Sequence, residues 1–233
     1  PPLTRSPLLF AKAKKRDRIS AFEVVLREGN SMKLYIIRHG ETFGNLNGDG
    51  FSETELTPKG ERQIALLGER FKDENIDKFY VSPLVRAVKT ANAVREYHKN
   101  TPIIIDSLLL EKGTAPDYIG LPDGEIKKLC PDAEINPRSP LGEEDDEKAY
   151  NRAKEIIEKI KAENDFESTV IIIAHGTFNS FLVLAALDFP FKENFNFSHV
   201  NTGVSLVQTI KEKGVTKTKL KFLNDYSHLD EKP

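Results

Sequence analysis

The chain has 233 residues, of which 39% are hydrophobic, and a formal net charge of −2 at pH 7. This length suits one large domain with a sizeable core, and the near-neutral charge does not favour a nucleic-acid partner. A single cysteine, Cys130, excludes an intrachain disulfide framework and a cysteine-based zinc site, and predicts a reducing, cytoplasmic compartment. The longest apolar stretches, such as Phe181–Leu187, are too short to span a bilayer, so no membrane association is expected.

The first 31 residues differ in charge from the rest of the chain. They carry seven Lys/Arg and three Asp/Glu, whereas the remaining residues carry 27 and 33. The only methionine, Met32, lies directly before the first apolar run. We therefore expect residues 1–31 to be a leader or an extra, peripheral segment, and residues 32–233 to form a single domain. Alternatively, the apolar stretch Ile19–Leu26 forms a short added element.

Apolar runs and helix signals alternate along the chain. Continuous apolar runs predict buried strands at Lys33–Ile37, Lys78–Val81, Pro102–Ile105 and Thr169–Ala174. Capping residues followed by proline predict helix starts at Thr57-Pro58 and Ser82-Pro83, and apolar periodicity predicts helices over Glu144–Lys161 and Thr177–Leu187. The alternation predicts an α/β three-layer sandwich, a mostly parallel sheet with helices on both faces.

The remaining segments are predicted to be loops or a terminal hairpin. The Gly/Asn-rich stretch Gly44–Gly50 predicts a loop, and the Pro/Gly/Asp-rich stretch Lys112–Gly142 predicts an irregular excursion over the site. Alternating residues in Gly203–Lys211 and Val215–Leu223 predict a hairpin.

Two histidines stand at the ends of two predicted buried strands. His39 follows Arg38 after the first strand, and His175 precedes Gly176 after the fourth. Ligands of open α/β sheets bind beyond the carboxyl ends of the strands, so both imidazoles are candidates for one pocket. Arg38 offers a planar fork of donors that matches phosphate oxygens, and its charge favours the neutral, nucleophilic imidazole. Taken alone, each histidine would more often be structural.

Two further charged residues fit a phosphate site. Arg86 lies near the start of a predicted helix, where anions are favoured, although a helix arginine is commonly just solvated. Glu111 follows three leucines; such a glutamate is usually a cap or a surface charge, but in a phosphoryl-transfer pocket it would donate a proton to the leaving oxygen.

In this order, the residues resemble those of the histidine phosphatase superfamily, the phosphoglycerate mutase-like family. The matching segments are Arg38-His39-Gly40-Glu41-Thr42, Asn45, Leu56-Thr57-Pro58-Lys59-Gly60, Ser82 to Thr90, Glu111 and Ala174-His175-Gly176. Weaker matches are Gly142-Glu143-Glu144 with Arg152, Asn201 to Ser205, and Asn224 to Leu229. The resemblance covers about residues 33–229.

The resemblance implies a role for each matching residue. His39 would attack phosphorus; Arg38, Arg86 and His175 would hold the phosphoryl oxygens, with Asn45, Thr42 and Gly176 beside them. Glu111 would protonate the departing alcohol and then activate water. No cofactor and no metal would be required, because arginines and imidazoles supply the charge. The expected partner is a small phosphomonoester.

The chain departs from the family pattern at two places on the pocket rim. Glu53 stands where an aspartate is usual, and Tyr118–Glu125 replaces a Trp-Glu-Gly-like segment. Because of these two departures, the resemblance does not identify the substrate. His98, His199 and His228 match no motif, and we expect each to be structural or exposed.

Three functions compete. A phosphomonoesterase is the preferred function, and a phosphoglycerate mutase is the alternative. Mutases of this family resemble the phosphatases but carry a longer excursion between Glu111 and His175. The excursion of this chain is short, which favours the phosphatase. A silent phosphate-binding protein is a third possibility, which a nucleophile–acid pair argues against. The sequence does not fix the oligomeric state.

Overall fold

A computed structural model describes residues 31–48 and 53–230 of the chain. Its strands are β1 (Ser31–Arg38), β2 (Lys78–Val81), β3 (Ile103–Ile105), β4 (Glu134–Ile135), β5 (Thr169–Ala174), β6 (Val204–Glu212) and β7 (Val215–Asp225). Its helices are α1 (Phe43–Asn47), α2 (Pro58–Phe71), α3 (Val85–Arg95), α4 (Asp123–Leu129), α5 (Asp146–Glu163) and α6 (Gly176–Ala186), with a 3₁₀ turn at Ser107–Leu109.

The seven strands form one sheet in the order β4-β3-β2-β5-β1-β6-β7. The first five strands pair in parallel, whereas β6 is antiparallel to β1 and β7 is antiparallel to β6. The predicted mostly parallel sheet and the terminal hairpin are therefore confirmed. The register places Arg38 beside Ala174, so the residues that follow β1 and β5 emerge side by side.

Helices cover both faces of the sheet, as predicted. One core contains apolar residues of α5 and α6, including Ile156 and Phe178, and the other contains residues of α2 and α3, including Leu67 and Val88. The chain leaves β1 toward one face through α2 and leaves β5 toward the other through α6. This divergence opens a crevice at the carboxyl ends of β1 and β5, where α/β proteins bind their ligands.

Helix α2 begins as its sequence predicts. The Thr57 hydroxyl accepts a hydrogen bond from the Gly60 N–H at 2.9 Å, and Pro58 occupies the first helical position. Helix α3 does not begin at Ser82-Pro83; it begins at Val85, with Leu84 at the N-cap and no capping side chain of its own. Ser82 is used differently, as described below for the site.

Two predicted loops contain regular structure. The prediction of a loop over Gly44–Gly50 is wrong for residues 44–47, because Thr42 and Asn45 form a reciprocal capping box that starts a short helix over Phe43–Asn47. The Lys112–Gly142 prediction is also wrong in part, because α4 packs Ile126 into the core and β4 adds an edge strand beside β3. The composition of the two segments did not indicate these elements, because each element is very short.

Residues 1–30 of the predicted leader lie outside the described residues, but Ser31 belongs to the first strand. Its hydroxyl accepts a hydrogen bond from the Gln208 side chain at 3.0 Å. Across the described part of the chain, every helix is too short or too polar to cross a lipid bilayer.

Candidate active site

His39 lies directly beyond β1 and is 2% exposed. Its Nδ1 is 2.7 Å from the Gly40 carbonyl oxygen, and its Nε2 is 3.2 Å from Nε of Arg86. A carbonyl oxygen can only accept and a guanidinium can only donate, so Nδ1 carries the proton and Nε2 presents its lone pair. The neighbours of His39 therefore select the tautomer in which Nε2 can act as a nucleophile.

The charge state of His39 follows from the same surroundings. Burial lowers the pKa of the imidazole well below its usual value of 6.5, and the positive charges of Arg86 and Arg38 lower it further. The ring is consequently neutral at physiological pH. A neutral imidazole with an available lone pair is the reactive form for attack on phosphorus.

His175 occupies the N-cap of α6 and is completely buried. Its ring centroid lies 5.1 Å from that of His39. Its Nε2 is 2.7 Å from the Ser82 hydroxyl, and its Nδ1 has no hydrogen-bond partner among the described residues. Burial and the charge of Arg86 lower its pKa well below 6.5. Ser82 thus orients the second imidazole and does not cap a helix.

Two arginines reach the same place from different elements. Arg38 ends β1, and its Nη1 donates to the His199 carbonyl at 2.6 Å. Arg86 lies in the first turn of α3, is 1% exposed and contacts His39. Burial lowers the pKa of both guanidinium groups from its usual value, but a guanidinium group in a protein keeps its proton at every physiological pH. Two permanent positive charges therefore lie beside the imidazoles, suited to anionic oxygens.

Glu111 is 7% exposed and is held by main-chain donors. Its Oε1 accepts from the N–H groups of Lys112 at 2.9 Å and Phe178 at 3.0 Å, and its Oε2 lies 3.3 Å from the Thr177 nitrogen. Burial raises the pKa of the carboxyl group, and these three N–H groups oppose the rise. A carboxyl that keeps its proton to a higher pH than usual is suited to proton donation.

A buried ion pair fixes the segment before Glu111. Arg152 donates through Nη1 to the carbonyls of Leu108 at 2.8 Å and Leu110 at 2.9 Å. Its Nε and Nη2 bind both carboxylate oxygens of Glu144 at 2.7 and 2.6 Å. Arg152 and Glu144, which were weaker matches in the sequence, therefore hold the backbone segment that leads to Glu111.

Several of the predicted site residues line one cavity of about 280 Å³. Its lining includes Arg38, His39, Asn45, Glu111, Gly176 and Thr177. Arg86 and His175 adjoin it through their contacts with His39. Thr42 stands behind this lining, where its hydroxyl accepts from the Asn45 N–H at 3.2 Å and caps α1. Its contact with phosphate stays a prediction.

The loop before β6 also enters the site, which the sequence interpretation missed. The Asn201 amide donates to the His39 carbonyl and to Asn45 Oδ1, both at 3.1 Å, and the Thr202 N–H donates to the His39 carbonyl at 3.2 Å. His199 lines the cavity, and burial lowers its pKa to about 4. The weak family match at Asn201 was the available sequence signal for this loop. His199 acts on Arg38 through its main-chain carbonyl, so its side chain gave no signal in the sequence.

The fold places a neutral histidine beside two arginines at the carboxyl end of a parallel sheet, an arrangement suited to binding and transferring a phosphoryl group. The profile of the histidine phosphatase superfamily, branch 1, matches residues 34–221. The chain belongs to this superfamily, and it is a phosphatase of that family. This confirms the resemblance and the fold class.

The individual relatives include a phosphatase and a probable mutase. The chain is 26% identical over 208 residues to phosphoserine phosphatase 1 of Hydrogenobacter thermophilus, covering 86% of this chain and 95% of the relative. It is 27% identical over 167 residues to a probable phosphoglycerate mutase, GpmB, of Erwinia tasmaniensis, covering 68% and 76%. The solved structure of Bacillus stearothermophilus YhfR superposes with a TM-score of 0.62 and 26% identity, covering 84% and 98%.

Proposed function

We propose that the chain hydrolyses small phosphomonoesters through a phosphohistidine intermediate on His39. The observation that carries this proposal is the hydrogen-bonding of His39: Nδ1–H donates to a carbonyl, and Nε2 directs its lone pair toward a guanidinium. A phosphoryl group bound by Arg38 and Arg86 would lie against that lone pair. Positioning and charge stabilisation are the main requirements of phosphoryl transfer.

In the first step, Nε2 of His39 forms a bond to phosphorus while the bond from phosphorus to the ester oxygen breaks. Glu111 gives its proton to the departing alcohol oxygen. The arginines and His175 Nδ1 stabilise the negative charge of the equatorial oxygens. Nδ1 of His39 keeps its proton and donates it in a hydrogen bond to the Gly40 carbonyl oxygen. This hydrogen bond stabilises the positive charge that develops on the phosphorylated ring.

In the second step, water attacks phosphorus and the phosphorus–nitrogen bond breaks. Glu111, now a carboxylate, accepts the proton of that water. Inorganic phosphate leaves, and both Glu111 and the neutral His39 are restored. Asn45 and Gly176 line the same cavity and are assigned to phosphate binding, with Thr42 acting through Asn45.

The proposal includes metal independence and a cytoplasmic location. The two arginines supply the positive charge that a divalent cation would provide in other phosphoryl-transfer enzymes. Activity should therefore survive exhaustive chelation; loss on chelation with recovery by one specific divalent cation would contradict this. The single cysteine, which is buried as Cys130, supports a reducing compartment.

Phosphoglycerate mutase activity is the second candidate, because a probable mutase is among the relatives. A mutase must protect its phosphohistidine from water, which calls for a closing lid. Residues 112–142 instead pack α4 into the core and pair β4 with the sheet. We therefore favour hydrolysis. Far faster primed interconversion of phosphoglycerates than hydrolysis of every ester tested would establish the mutase.

The decisive experiment traps the intermediate. Rapid quench with a ³²P-labelled phosphomonoester should yield an acid-labile, base-stable phosphoprotein in the wild type and none in His39→Ala. A Glu111→Gln variant should accumulate label from esters with good leaving groups, because it lacks the base for the second step. A label on another residue would overturn the assignment of His39.

A further inference from the structure

The two rim positions at which the chain departs from the family pattern contact each other. The Tyr118 hydroxyl donates to Oε1 of Glu53 at 2.6 Å, although the two residues are 65 positions apart. Glu53 Oε2 accepts a hydrogen bond from the Val85 N–H at 3.0 Å. Val85 is the first residue of α3, and the next residue is Arg86. The departures therefore form one unit at the start of the helix that carries a phosphate-binding arginine.

Helix α3 has a specific need for this contact. Its N-cap is Leu84, which offers no capping oxygen, so the helix lacks a side-chain cap from its own sequence. The first N–H groups of a helix require acceptors, and a carboxylate there also complements the helix dipole. Glu53 supplies that acceptor from a distant loop. Its negative charge also favours the charged form of the Arg86 guanidinium, which burial opposes.

Tyr118 is itself fixed, so it can hold Glu53 in one geometry. The Leu121 N–H donates to the Pro83 carbonyl at 3.1 Å. Gly120 has φ +89°, and a Cβ there would lie 2.4 Å from the Pro83 ring. Arg138 Nη1 binds the carbonyls of Ile119 at 3.0 Å and Leu121 at 2.6 Å. The segment therefore packs against the residues that lead into α3.

We propose that Glu53, locked by Tyr118, is a positioning residue that sets the start of α3 and thereby aims Arg86 at the phosphoryl group. This inference rests on the proposed phosphate site at His39 and Arg86. It assigns no contact with substrate to Glu53 or Tyr118. Loss of the contact would allow the first turn of α3 to shift, and small misplacements of a catalytic group have large kinetic consequences.

The test measures phosphate binding and turnover in Glu53→Gln and Tyr118→Phe. The matched controls are Glu55→Gln, which removes a charge from the same loop at an exposed pair with Lys89, and Tyr97→Phe, which removes an exposed hydroxyl bound to Glu69. We expect Glu53→Gln to lower kcat/KM and weaken inorganic phosphate binding by about tenfold or more, and Tyr118→Phe by about threefold. Both controls should stay within twofold of wild type.

A thermodynamic cycle with Arg86→Ala separates positioning from general stability. Calorimetric titration with inorganic phosphate should show that Glu53→Gln has no further effect once Arg86 is alanine. An undiminished effect in that background, or phosphate binding and kcat/KM within twofold of the controls in both test variants, would overturn the inference. If Arg86→Ala itself leaves phosphate binding unchanged, the proposed function fails at the phosphate site, which is a distinguishable result.

Discussion

The carboxyl end of the central strands and the distal half of the β6–β7 hairpin both carry many charges, but with opposite physical consequences. At the strand ends, His39, Arg86 and Glu111 are 7% exposed or less, and burial shifts their pKa values. On β7, residues 215–221 are all exposed, and Lys217 pairs with Glu212 in solvent. Ionisable side chains therefore have strong effects on reactivity where the fold buries them away from water.

The lysines of the hairpin have a different explanation. Lys217, Lys219 and Lys221 alternate along the edge strand of the sheet. Charged side chains on an edge strand hinder pairing with the strands of other molecules. Exposed ion pairs such as Lys217–Glu212 add little stability. We therefore expect substitutions in the two regions to separate catalytic effects from effects on solubility.

The largest expected difference concerns the nucleophile. His39→Ala should reduce kcat by at least about 10⁴-fold, because removal of a nucleophile eliminates the covalent route. Its melting temperature should be equal to or above that of wild type, since the variant no longer buries an imidazole beside two arginines. Steady-state kinetics and thermal unfolding test both points. Lys219→Ala is the control; a comparable loss of kcat in that variant would mean that the exposed charges of the hairpin affect catalysis as strongly as the buried site does.

A core substitution should give the reverse pattern. Ile172, at the centre of β5, is completely buried, and Ile172→Ala should lower the free energy of unfolding by about 2–5 kcal/mol. Val215→Ala, at a position 56% exposed, should change it by less than about 0.5 kcal/mol. Urea denaturation measures both values. Equal losses would mean that the hairpin is as tightly coupled to the core as β5 is.

The fold was largely predictable because the central strands are continuous apolar runs. The segments Lys33–Ile37 and Thr169–Ala174 need burial on both faces, and this requirement alone predicts a covered parallel sheet. The short elements were not predictable. Helix α1 depends on the capping box of Thr42 and Asn45, and β4 is a strand only because β3 offers an edge to a two-residue segment.

The site was predictable where a residue acts from the end of its own strand. His39 and His175 follow apolar runs directly, so their position is encoded locally. Arg152, Asn201 and Glu53 act through contacts between segments that are far apart in sequence. Their targets include main-chain groups, which every residue supplies, so Arg152 and Asn201 were only weak matches in the sequence and Glu53 was only a departure from the family pattern. Residues that position the catalytic groups therefore required the structure.

The stability of the protein should depend on pH through its buried histidines. The pKa values of His39, His175, His199 and His228 are all lowered by burial, the last two to about 4. The unfolded chain binds these protons near pH 6.5 and the folded chain does not, so stability is complete above that pH and falls as pH decreases through it toward the folded values. The raised pKa of Glu111 opposes this trend by at most one proton.

Each such histidine contributes a slope of about 1.4 kcal/mol per pH unit between its unfolded and folded pKa values. Denaturation measured from pH 5 to 8 should therefore show unfolding free energies that rise with pH up to about 6.5 and then level off. His39→Ala should have a shallower slope than wild type. An identical slope in that variant would mean that His39 takes up its proton equally in the folded and unfolded chains.

The smallest expected effect concerns Gly176, at the first position of α6. A Cβ at this residue would lie 3.2 Å from Nε and 3.4 Å from Cζ of Arg38, so Gly176→Ala requires the guanidinium to move by a few tenths of an ångström. We expect kcat/KM to fall by about threefold to tenfold, since catalytic geometry tolerates only small displacements. The melting temperature should change little, because the displaced group is the end of a side chain.

Gly124→Ala is the matched control for this substitution. Gly124 lies in α4, and a Cβ there would meet no atom within 4 Å. Alanine should favour the helix slightly and leave kcat/KM unchanged. If Gly176→Ala matches this control in kcat/KM, the position of Arg38 is less critical than its burial beside His39 suggests. A loss confined to Gly176→Ala would show that the strand-end site depends on tenths of an ångström, whereas a helix outside the site does not.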